Sequence, residues 1–210
     1  TVGGCAGNSW AWHTENDTLE VADPQVLVRD IKVYLASIFR ILNAHIYPFD
    51  FTQWAEVCTK VLNDYASKAK DLLDISPVLE ESRTLHRTLS LFYSQLEKAY
   101  SQREKGPERF KKANQCLLEL GRILIPVNYT KSERYSHDPA IPIPPFPDLE
   151  PVRQLVQLSQ KGDEYRFLKT QVVRGRNRVV DALRRARRQV EQCHAIFRRE
   201  GCRGNKGFPN

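Results

Sequence analysis

A single imidazole, His13, sits in the stretch CAGNSWAWHTENDT, residues 5–18, beside Trp10, Trp12 and Thr14. Imidazole is the side chain best suited to move a proton or to donate to a metal near neutral pH. Metal chemistry needs several donors at once, and the spacing supplies none nearby. There is no H-x-x-x-H, and His45, His86, His137 and His194 fall on different predicted elements. Paired carboxylates at catalytic spacing, a glycine-rich phosphate loop and a serine nucleophile elbow are also missing. By spacing alone, His13 reads more readily as a structural residue than as a ligand. The five cysteines, Cys5, Cys58, Cys116, Cys193 and Cys202, are odd in number, widely spaced and without a C-x-x-C pair. They indicate neither a zinc knuckle nor a disulfide framework. Cys58, Cys116 and Cys193 fall at apolar positions of helical patterns and read as small core residues. N-x-T triplets at Asn16 and Asn128 matter only in a secreted eukaryotic protein.

The elements that must position these residues are helical. Asp23 is a plausible N-cap with Pro24 at the first helical position, and Leu27, Ile31, Leu35, Ile38 and Leu42 then recur along one face. That helix should end before Pro48. A second is predicted from near Phe51 to about Asp74, and a third from Ser76-Pro77 to the Lys105-Gly106-Pro107 break. A fourth begins near Glu108. Residues 126–151 then hold seven prolines, which predicts an extended, polyproline-like excursion in place of helix. Its Tyr129, Tyr135 and Phe146 argue for an ordered, packed segment. A short helix over about 149–160 leads to the longest element, about 164–199. There Val179, Leu183, Ala186, Val190, Cys193 and Phe197 form a bundle seam. A strand is expected only as a stub at residues 1–5.

With 41% hydrophobic and 27% charged residues in 210, the chain is long enough for one or two domains with a core. Its longest apolar runs fall far short of the roughly 20 residues of a membrane span, and no signal peptide is visible. The compartment is not set by these features. Nine arginines between Arg174 and Arg199 explain most of the net charge of +7. A basic stripe can neutralise phosphates. Here Asp181, Glu191 and Glu200 are interspersed beside an apolar seam, the pattern of a solvated, pairing helix face, so nucleic acid is not the expected partner.

The stretch GGCAGNSWAWHTENDTLEVADPQVLVRDIKVYLASIFRILN, residues 3–43, resembles the closing segment of the catalytic domain in zinc exopeptidases of the glutamate carboxypeptidase and transferrin receptor family. The rest of the chain, including LGRILIPVNYTKSERYSHDPAIPIPPFPDL and the last long helix, resembles the transferrin-receptor-like dimerisation domain of the same family. The resemblance implies a mainly α fold: a four-helix bundle with a long proline-rich loop, preceded by a short remnant of an α/β zinc peptidase domain. Residues 1–45 would be that remnant, 46–200 the dimerisation domain and 201–210 a frayed tail. It also implies two zinc ions in the intact parent, with His13 as the last ligand and Asp17 or a backbone carbonyl holding its second nitrogen. Some relatives carry a tyrosine just before this histidine; Trp12 stands there instead, and that tyrosine's role is not transferred. Arg134 and Tyr135 would lie near the grip on a substrate's terminal carboxylate.

On this resemblance the remaining ligands and the general base lie upstream, and no catalytic residue is expected in these 210 residues. A single imidazole cannot hold a hydrolytic zinc, so stable zinc binding and peptide hydrolysis are expected of the parent and not of this chain alone. The expected partners are the upstream peptidase domain of the same chain, a peptide substrate in the parent, and a second copy through the helical face. The alternative is a non-enzymatic, receptor-like binding and dimerising module with a decayed metal site.

Overall fold

The computed structural model describes residues 11, 13–101, 107–131, 135–138 and 142–203. The chain divides into two compact units, Thr1–Pro48 and Phe49–Asn210. Among the described residues all regular structure is helical, and none is strand. The expected strand stub at residues 1–5 lies outside them.

The first unit is dominated by α1, Pro24–Asn43, preceded by a 3-10 turn at Leu19–Val21. Asp23 caps α1 as its sequence suggests: one carboxylate oxygen accepts from the backbone N–H groups of Gln25 at 2.8 Å and Val26 at 3.4 Å. These are two of the orphan donors that every helix start presents. Pro24 at the first position gives up no bond, because its N–H would have lacked a partner anyway.

The second unit holds α2 (Phe51–Ala69), α3 (Ser76–Ser101), α4 (Pro107–Asn128), a single turn α5 (Val152–Leu155) and α6 (Asp163–Arg203). α6 packs along α3 and α4, and α2 packs along α3. The buried positions of α3 are Val78, Ser82, Leu85, Leu89, Phe92, Leu96 and Ala99. They alternate steps of four and three, which keeps one stripe facing its neighbours over the whole helix. On α6, Val172, Val179, Leu183, Ala186, Val190 and Cys193 answer it. Ser82 is a polar member of this stripe. Its hydroxyl lies 2.8 Å from that of Thr59, whose own proton goes to the carbonyl of Ala55, so Ser82 donates across the α2 and α3 contact.

Three boundaries differ from the periodicity. The second helix ends at Ala69, five residues early, because Lys70 takes a left-handed φ of 46° before a 3-10 turn at Lys70–Leu72. The helix expected over 149–160 contracts to α5. In the other direction, α4 continues through Pro126 to Asn128 although the prolines were expected to exclude helix from that point. Pro126 sits in the last turn, where it forfeits one intrahelical bond, and the helical bond from Tyr129 N–H to the Ile125 carbonyl forms at 3.0 Å regardless.

Two helical glycines test opposite sides of packing. A Cβ on Gly121 would meet only Ile125 at 3.8 Å and Phe51 at 4.0 Å, ordinary contact distances, whereas one on Gly175 would stand 2.5 Å from the backbone carbonyl oxygen of Asp148. Gly121→Ala is therefore expected to stabilise the protein by about 0.5–1 kcal/mol through lost backbone entropy in the unfolded chain. Gly175→Ala should destabilise it by roughly 1–3 kcal/mol through overpacking. Urea midpoints of the two variants measure both signs.

Candidate functional site

The residues around His13 form a pair of tight turns. Thr14 organises them: its backbone N–H and its hydroxyl both donate to the Ala11 carbonyl, at 3.0 and 2.7 Å. Its hydroxyl oxygen accepts from Asn16 N–H at 3.2 Å, and its carbonyl accepts from Asp17 N–H at 3.2 Å. Ala11 is buried and the residues from His13 onward are exposed. His13 adopts φ 61°, a left-handed conformation that a non-glycine residue takes at a cost. The turn thus holds His13 at the surface, with Asp17 exposed on the same loop. Trp10 and Trp12 lie outside the described residues.

Among the described residues no three His, Cys, Asp or Glu side chains gather into a metal site. His13 would be one donor of the four that a tetrahedral zinc takes. The described residues alone therefore do not fit a zinc ion, and the other donors would have to come from elsewhere.

The second pair of expected site residues lies in the other unit. Tyr135 occurs in the excursion between Lys131 and Asp138, closed by a 3.0 Å bond from Lys131 N–H to the Asp138 carboxylate, and the tyrosine is 91% exposed. Arg134 lies outside the described residues. His13 and Asp17 share one loop of the first unit; Tyr135 belongs to the second.

The rest of the proline-rich segment is clasped to the helices. Phe146 is fully buried at φ 52°, and its N–H donates to Asn128 Oδ1 at 3.3 Å. Tyr65, buried on α2, donates its hydroxyl to the Pro145 carbonyl at 2.8 Å, and burial raises the pKa of that phenol. Arg153 lies over the Tyr65 ring at 5.4 Å and bonds the Asp64 carboxylate at 3.0 Å. Arg178 on α6 reaches two ways: to Asp148 at 3.0 Å and to the Pro126 carbonyl at 3.1 Å. That carbonyl lies in the last turn of α4, where partners within the helix run out and a cation suits the helix dipole.

The arginines of α6 pair with the interspersed acids of their own helix, as Arg185 does with Asp181, and equally with acids of other elements. Glu81 on α3, whose side chain is 14% exposed, takes Arg184 at 2.7 Å and Arg187 at 3.4 Å, and Arg187 also reaches Glu191 at 2.7 Å. Arg176 donates to the Asp74 carbonyl at 3.0 Å, tying α6 to the turn between α2 and α3.

Neither Asn128 nor Gly175 stands out in the sequence as a clasp residue. The signal for Gly175 was present, a lone glycine within a long helical pattern, which marks close approach of another backbone. Asn128 was legible only as half of an N-x-T triplet; the clasp leaves it 3% exposed. No family model, no curated protein and no solved structure matches the chain.

Asn128→Ala would leave the buried Phe146 N–H without its acceptor. It should cost about 1–3 kcal/mol, and hydrogen exchange should accelerate at Phe146 before it does in α3.

Proposed function

We propose that the chain supplies the closing segment of a binuclear zinc exopeptidase and its helical dimerisation region, with His13 as the last metal ligand. The observation that carries this reading is α1. Its Leu27, Val28, Ile31, Tyr34, Leu35, Ile38, Phe39, Ile41 and Leu42 occupy an arc of roughly 160° at the helical rotation per residue, and no residue of the helix is buried. An arc that wide is the face of a helix laid on a large apolar surface, such as the sheet of an α/β domain. Only the short 3-10 turn at Leu19–Val21 separates the turns that expose His13 from this helix, so docking α1 would restrict where the imidazole lies.

In the second unit, α2, α3, α4 and α6 act as a four-helix bundle that joins two copies, and Tyr135 with Arg134 would contribute to the grip on a peptide's terminal carboxylate. Zinc would supply an activated water and polarise the scissile carbonyl. This chain's own part is to hold one ligand, to present the loop and to pair the subunits.

In the complete gene product, His13→Ala is expected to remove about one zinc per subunit and abolish peptide hydrolysis; unchanged zinc content would overturn the assignment. The α1 face gives a second measurement. Leu35→Ser with Ile38→Ser should leave the urea midpoint of the 210-residue chain within about 0.5 kcal/mol, as surface changes do. The same pair should cost the complete protein several kcal/mol, as buried apolar truncations do. Equal effects in both would remove the docking of α1.

A further inference from the structure

We infer that Cys116 and Cys193 are an oxidisable thiol pair, which a hydroperoxide closes to a disulfide joining α4 to α6. The two helices pack along one another, and both cysteines are buried and reduced in the contact. The Cys116 sulfur lies 4.0 Å from the Gln189 carbonyl oxygen, one turn before Cys193, and the Gln189 side-chain amide donates to the Cys193 sulfur at 3.8 Å. Through Gln189 the Cys116 thiol is thus placed against the turn of α6 that carries Cys193. Closing the pair requires the two sulfurs to approach to bonding distance across this helix contact.

The hydrogen bonds also divide the labour. The neighbouring Cys116 thiol, helped by the Gln189 amide, lowers the pKa of Cys193 against the opposing effect of burial. The same neighbourhood, reinforced by burial, raises that of Cys116. Cys193 is also the less buried of the two, at 8% exposure against 1%. It is the nucleophile, since the thiolate and not the thiol reacts. Burial favours a small oxidant over a bulky disulfide such as oxidised glutathione.

The Cys193 thiolate attacks one oxygen of hydrogen peroxide: an S–O bond forms, the O–O bond breaks and hydroxide leaves, giving a sulfenic acid. Cys116 gives up its proton to that hydroxide, and its sulfur attacks the Cys193 sulfur. The S–S bond forms, the S–O bond breaks, and the second hydroxide leaves as water on taking up a proton. Two thiols and one hydrogen peroxide become one disulfide and two waters, with two electrons passing from sulfur to peroxide.

The experiment uses the chain with Cys5→Ser and Cys202→Ser, leaving Cys58 as an internal reference whose thiol burial pushes up to about 12. After hydrogen peroxide, thiol titration under denaturing conditions should fall from three per chain to one. Peptide mapping should show residues 116 and 193 linked with the loss of two hydrogens, and dithiothreitol should restore all three thiols. Adding Cys116→Ser should leave a sulfenic acid at Cys193 that dimedone traps. Three surviving thiols, a bridge to Cys58, or over-oxidation of Cys193 with Cys116 present would each overturn the pair.

Discussion

The backbone of residue 148 occupies the space a side chain at 175 would need, and the second unit is arranged around that approach. A segment with so many prolines has few backbone donors to build regular structure, yet its carbonyls still require partners once buried. The helices meet it group by group: a phenol from α2 donates to the Pro145 carbonyl, a guanidinium from α6 donates to that of Pro126, and a carboxamide oxygen from α4 accepts the Phe146 N–H. The absence of a Cβ at Gly175 lets Asp148 come close enough for its carboxylate to meet Arg178 one turn further along α6. Each contact depends on the others being in register.

Charge is distributed by the same logic. The basic character of α6 looks like an excess when its own sequence is read alone, and becomes a set of cross-links when its neighbours are added. Glu81 on α3, Asp148 in the loop and the carbonyls of Asp74 and Pro126 take arginines from successive turns. Paired at partly exposed positions, these contacts each add little stability. Their value is positional, because a planar guanidinium fixes direction as well as distance.

Local patterns were the legible part. The Asp23-Pro24 start of α1, the Ser76 start of α3 and the seam of α6 through Cys193 follow from capping chemistry and a repeating apolar step, both carried by residues close in sequence. The clasp was not legible, because its partners stand 18, 30 and 80 residues apart and its polar side chains are types that usually face water. Pro126 misled for a related reason: the rule against proline in helices weakens at a last turn whose carbonyl has outside partners. For the candidate site, the sequence offered a histidine in a motif. The structure adds its left-handed backbone and its exposure, and leaves any companion donors outside the described residues.

Tyr93 closes the entrance to the second unit. From α3, its hydroxyl donates to the Phe49 carbonyl and accepts from Phe51 N–H at 3.2 Å, one residue either side of the Asp50 cap. A pull on the connecting chain would load this hydroxyl before it could unwind the first turn of α2. The first residues of the helical unit are thereby anchored to α3 like a rope made fast to a cleat.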